Sequence, residues 1–145
     1  MPRSVIFLSL VLCFSPEQVR AEGPKRSRPS LFINAADVAR AKASIAKHPW
    51  AADIYKGVRE EAKQGNSVAA GVVYQIEGDL EAAEQAKRFL FEAEKNFRPG
   101  GPYHWGIGTD EANTYDLIAD ACTPAERGRI ENYLRRKASS LAGCV

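Results

Sequence analysis

The fold is decided by the stretch Ser67-Val68-Ala69-Ala70-Gly71-Val72-Val73-Tyr74-Gln75-Ile76-Glu77-Gly78-Asp79-Leu80-Glu81-Ala82-Ala83. Val68, Val72 and Ile76 recur every fourth residue, a helical rather than a strand period. Gly78 is a stop, because glycine accepts the left-handed conformation that ends helices. Asp79 follows at once as an N-cap, and Leu80, Ala83, Ala86, Leu90 and Phe97 continue at helical spacing. So short a hinge forces two antiparallel helices. The small residues Ala69, Ala70, Gly71, Ala82, Ala83 and Ala86 let the two arms approach closely.

The same grammar extends outward in both directions. Leu31, Phe32 and Ile33 read as an extended apolar segment. Asn34 caps a helix, with Asp37 in its first turn, where a carboxylate favours the positive helix end. Val38, Ala41 and Ile45 form its stripe. Pro49 opens a second helix, since its missing N–H costs nothing at that position. Trp50, Ile54, Val58 and Ala62 step along one face, and Gly65 is the stop. C-terminally, helix five is expected over about Asp110 to Ala121. Thr123-Pro124-Ala125-Glu126 is a capping box with proline at the first helical position. Ile130, Leu134 and Leu141 mark the face of helix six. No stretch alternates as a strand would, so the expected fold is all-α, six helices in three hairpins.

Length and composition set the outer limits. A chain of 145 residues, 45% hydrophobic and 26% charged, is of ordinary single-domain composition. The net charge of +2 gives no support for nucleic-acid binding. Residues 1–21 form a signal-peptide pattern: Arg3, then the apolar run Val5 to Phe14, then Val19-Arg20-Ala21 as the cleavage site. That run is too short to span a bilayer, which takes about 20 residues. Leu10-Val11-Leu12-Cys13 faintly imitates a lipoprotein signal, but Leu12 is too bulky for that cut. Cleavage after Ala21 removes Arg3, Arg20 and Glu17 and leaves a charge of +1, with no membrane segment and a periplasmic or secreted destination. Residues 22–30, with Pro24, Lys25, Arg26, Arg28 and Pro29, read as a flexible leader to a domain over 31–145. Of the three cysteines, Cys122 and Cys144 remain. They are too few for a disulfide framework, and a disulfide or free thiols are both open.

Apolar residues also lie off the main stripes: Tyr55, Val73, Phe89, Phe91, Ile107 and Ile118. Helices with two apolar faces are usually sandwiched between neighbours, so a further packing layer is expected.

Few residues suggest chemistry. The loop Arg98 to Thr109 contains Pro99, Gly100, Gly101, Pro102, Gly106 and Gly108 around Tyr103, His104 and Trp105. These three are the candidate substrate contacts, because aromatic rings stack on sugars and histidine exchanges protons near neutrality. The alternative is a connector whose aromatics plug helix ends, the commoner use of buried aromatics. Asp116 is a candidate site residue or a structural ion pair with Arg127 or Arg129. Tyr74 reads as hairpin core and His48 as a cap or surface residue. Arg135-Arg136-Lys137 would suit an acidic polymer, although most such runs are solvated. No nucleophile elbow, phosphate loop, paired-carboxylate motif or metal-ligand spacing occurs, so no catalytic residue, metal or cofactor is assigned.

The order of these motifs resembles the N-terminal part of bacterial polysaccharide lyases of the alginate lyase and heparinase II/III-like group. The resemblance rests on Leu31-Phe32-Ile33 with the Asn34-to-Ile45 helix, His48-Pro49-Trp50-Ala51 with Tyr55, and Tyr74-Gln75-Ile76-Glu77-Gly78-Asp79. Tyr115-Asp116-Leu117-Ile118 and Thr123-Pro124-Ala125-Glu126-Arg127 complete it. It implies an incomplete (α/α) toroid, exported, acting on a uronic-acid polysaccharide by β-elimination. In that reaction a base removes the C5 proton while neighbouring groups neutralise the uronate. The group's catalytic residues lie on later segments and find no counterpart here. The expectation is therefore a fragment without activity of its own, helix six leading into a further hairpin. A different class is a helical-repeat module, since Gly71, Tyr74, Gly78-Asp79 and Ala83 partly imitate a tetratricopeptide hairpin; its 34-residue period does not recur. A third is an exported helical protein with no enzymatic role.

Overall fold

Six α-helices and one 3₁₀ turn make up the computed structural model, which describes Leu31 and residues 33–98 and 109–142. They are α1 (Ala35–Lys47), α2 (Pro49–Lys63), α3 (Ser67–Glu77), α4 (Leu80–Asn96), α5 (Thr109–Ile118) and α6 (Pro124–Ala142), with the 3₁₀ turn Ala119–Ala121 after α5. Among the described residues there is no strand, so the chain is all-α. The signal, the leader and the Tyr103–Trp105 loop lie outside the described residues.

Local chemistry sets the helix ends. The Asn34 side chain accepts from the Ala36 and Asp37 N–H groups, and Asp37 accepts back from the Asn34 N–H at 3.0 Å, a reciprocal box. Asn66 caps α3 through Ala69 N–H, and Asp79 caps α4 through Glu81 and Ala82 N–H. Gly78 takes φ +75°, where a side chain would be strained. Thr123 and Glu126 exchange hydrogen bonds at the start of α6, as the capping box requires.

The core forms around α3, which packs on α2, α4 and α5. Ala70, Ala83, Ala86, Leu90, Leu117, Ile118 and Ile130 are essentially sealed from solvent. Ala69 and Ala70 of α3 and Ala82, Ala83 and Ala86 of α4 are buried, as close helix approach requires. Gly71 serves a different neighbour from the one expected. A Cβ on it would sit 2.9 Å from Cβ and Cδ1 of Leu117, so its missing side chain admits α5, not α4. Ser67 Oγ and Thr114 Oγ1 share a buried hydrogen bond of 3.0 Å, and Gln75 Nε2 donates to the Leu117 carbonyl at 2.5 Å. Residues 67, 71 and 75 thus meet 114 and 117 in increasing order, so α3 and α5 run parallel.

Three expectations need correction. The buried side of α3 is Ala69, Ala70, Gly71 and Val73, while Val68, Val72 and Ile76 are only half-buried. Leu80 is 68% exposed: it sits at the first helical position, ahead of the turn where α4 meets its neighbours. The third hairpin is loose, because α5 packs chiefly on α3 and α4, and α6 divides its contacts between α4 and α5.

Candidate functional site

Two faces of the helical layer carry unusual chemistry. The first is an apolar groove of about 290 Å³, floored by Ala51 and Val58 and walled by Ile45 of α1 and Val72 and Ile76 of α3. Trp50 and Ile54 stand on its rim, 62% and 64% exposed. They were expected on the core stripe of α2. The stripe is rotated because α1 and α3 engage the Ala51, Tyr55 and Ala62 side instead. Tyr55 Oη closes one end by donating to Glu77 Oε1 at 2.9 Å. Burial and that carboxylate push the phenol above its ordinary range. His48 stacks on Trp50 with ring centroids 5.9 Å apart and makes no side-chain cap bond.

The second face is the seam between α4 and α6. Glu94, 17% exposed, accepts from Arg129 Nε at 2.5 Å and from Arg136 Nη2 at 3.3 Å. The Arg129 guanidinium lies 4.5 Å from the centre of the Phe91 ring. Lys87 accompanies them along the seam, bonded to Glu84 at 2.7 Å and 3.5 Å from Glu126. Burial alone would lower its pKa, but the two carboxylates outweigh burial and raise it.

Beneath α6 lies a buried polar cluster that sequence reasoning missed. The Glu111 carboxylate accepts from the Lys137 ammonium and from Tyr133 Oη at 3.2 Å. Burial pushes the carboxyl up, but the ammonium and the hydroxyl outweigh it and hold it below the usual range. The Tyr133 hydroxyl is pushed up by burial and by the same carboxylate. A signal was present. Ile130, Tyr133 and Lys137 share one helical face, and a lysine on an apolar face implies a buried partner. Arg135-Arg136-Lys137 is therefore not one cationic run. Lys137 points inward, Arg136 joins Glu94, and Arg135 donates to Asn132 Oδ1 at 2.8 Å.

Asp116 is buried and accepts from the Leu31 N–H at 2.8 Å, tying the entering chain to α5. Neither arginine expected as its ion partner turns that way: Arg129 bonds Glu94, and Arg127 Nε donates to the Cys122 carbonyl at 3.2 Å. Tyr74 packs against the core, as expected. Cys122 is a buried free thiol, pushed up to about 11 by burial.

Among the described residues every buried side-chain nitrogen and oxygen has a hydrogen-bond partner. Among the described residues no group of three or more His, Cys, Asp or Glu gathers as a metal site would need. Among them, too, no helix is long and apolar enough to cross a membrane. No protein-family model, curated protein or solved structure matches the chain.

Proposed function

We propose that these helices are the scaffold of an exported polysaccharide lyase, the first arc of an incomplete (α/α) toroid that acts on a uronic-acid polymer by β-elimination. The observation that carries this reading is the apolar groove on α1, α2 and α3 with Trp50 and Ile54 at its rim. A toroid of hairpins buries each hairpin against the next, and a layer of this kind presents such a face to its neighbour. The order of the motifs from Leu31 to Arg127 adds to it. In this reading the segment orients its neighbours, and the proton transfers at C5 are made by groups on other segments.

The test is the coding region immediately downstream, read in all frames. Further helical hairpins followed by β-rich segments support the scaffold reading. Their absence overturns it.

A further inference from the structure

We infer that α6 is an acid-released strap: when the carboxylates that bridge it to α4 and α5 take up protons, the helix leaves while α2, α3 and α4 stay packed. The apolar hold on α6 is slight for its 19 residues. Among its described side chains, the buried apolar groups are Ile130 and Tyr133, and Leu134 is half-buried. Its polar hold is broad, and it is built on carboxylates.

Four carboxylates bridge the seam. Glu94 of α4 accepts from Arg129 and Arg136, and Glu111 of α5 accepts from Lys137 and Tyr133. On α6 itself, Glu131 accepts from the Tyr115 hydroxyl of α5, and Glu126 lies 3.5 Å from the Lys87 ammonium of α4. Glu84 shares that ammonium from its own helix at 2.7 Å. The buried Cys122 thiol, pushed up to about 11 by burial, brings no charge to the junction at neutral pH. Arg127 turns to the Cys122 carbonyl.

Charge across the seam attracts at neutral pH and repels in acid. Helix α4 carries Glu81, Glu84, Glu92 and Glu94 against Lys87, Arg88 and Lys95. Helix α5 carries Asp110, Glu111 and Asp116 and no cation. Helix α6 sets Arg127, Arg129, Arg135, Arg136 and Lys137 against Glu126 and Glu131. A net positive helix therefore lies on two net negative ones. Once the carboxylates are protonated, only the cations of α6 and α4 remain, and like charges repel. Against the effect of burial, Lys137 holds the Glu111 carboxyl below the ordinary carboxylate range, and the Thr123 N–H does the same for Glu126. What they contribute to docking is complete above that range and is lost as pH falls through the folded values.

The rest of the layer is joined chiefly by groups that do not titrate there. Ser67 bonds Thr114, Gln75 donates to the Leu117 carbonyl, and Gln85 Nε2 donates to the Ala62 carbonyl at 2.5 Å. The one carboxylate bridge described between α2 and α3, Tyr55 to Glu77, accompanies the buried packing of Ala62, Ala69 and Val73. Release of α6 uncovers Phe91, on which Arg129 lies, and Phe97, which meets the Tyr133 ring edge-on.

Hydrogen–deuterium exchange of the full chain, read by mass spectrometry, tests this as pH is stepped from 7 down to 3. Rates are corrected for the intrinsic pH dependence of exchange. Helical stability in proteins comes mostly from packing, so an undocked α6 should exchange its amides. Neutralising the partner of a recessed cation shifts docking about tenfold or more, so protection over 127–140 should fall by at least about tenfold while 69–76 and 82–91 change less than about threefold. Lys137→Met with Glu111→Leu removes the buried titrating pair and should keep α6 docked to lower pH. Loss of protection in α6 and α3 at the same pH, an α6 protected throughout, or release of α6 in the double variant at the wild-type pH would overturn the inference. The wild-type series decides alone if the variant does not fold. None of these results bears on the lyase reading, which the downstream coding region tests separately.

Discussion

Replacing Gly71 with alanine should destabilise the protein, whereas the same replacement at Gly57 should stabilise it. Both glycines lie inside helices, where alanine is favoured by roughly 0.5–1 kcal/mol. At Gly57 a new Cβ meets nothing within 4 Å, so that gain is realised. At Gly71 the new methyl would stand 2.9 Å from Cβ and Cδ1 of Leu117. Leu117 is wholly buried, and its Cβ cannot turn aside without moving α5. Overpacking of this kind costs roughly 1–3 kcal/mol. The balance is a loss of about 1 kcal/mol at Gly71, a melting temperature lower by about 4 °C for a domain of this size. Gly57→Ala should melt a few degrees higher than the parent. Thermal unfolding followed by circular dichroism at 222 nm, the usual helical wavelength, reads both. If Gly71→Ala melted as high as Gly57→Ala, α3 and α5 could not be packed as closely as described.

Other outcomes follow from the buried polar groups. Lys137→Met leaves the Glu111 carboxylate without its counter-ion in the interior and should cost about 3 kcal/mol in urea unfolding; a change under 0.5 kcal/mol would show that the pair is not buried. Replacing both partners, Lys137→Met with Glu111→Leu, should recover much of that loss. The folded-state pKa values of Glu111 and Glu126 lie below their unfolded values, so their stabilisation is complete above the ordinary carboxylate range. It is lost as pH falls through that range toward the folded values, and urea midpoints should drop there. Cys122, buried with its thiol pushed up to about 11, should resist iodoacetamide at pH 8 until the protein unfolds. Rapid alkylation of Cys122, located by peptide mapping, would contradict its burial.

Much of the fold was legible because it is written in local signals. Asn34, Asp79, Gly78 and Thr123-Pro124-Ala125-Glu126 act within one turn of chain, and each capping or stop signal stands where the sequence places it. What was not legible depends on rotation about helix axes. Two of the four α2 residues read as one stripe face outward, because each step of four residues drifts about 40° round a helix of 3.6 residues per turn, so Trp50 and Ile54 lie off the side on which Ala62 is buried. The same blindness hid the Glu111–Tyr133–Lys137 cluster, whose members are 22 and 26 residues apart in sequence. Asp116 could be seen as unusual, but it accepts from a backbone N–H 85 residues away, which no spacing rule reveals. The aromatic loop at Tyr103, His104 and Trp105 falls outside the described residues.

Scaffolding without chemistry is the central claim, and one incubation tests it most directly. The purified chain is mixed with alginate, the polymer is recovered, and ultraviolet absorbance is read for the unsaturated ends that β-elimination creates. The predicted result is polymer recovered uncut. Steady growth of unsaturated ends, abolished when the chain is heat-denatured, would contradict it.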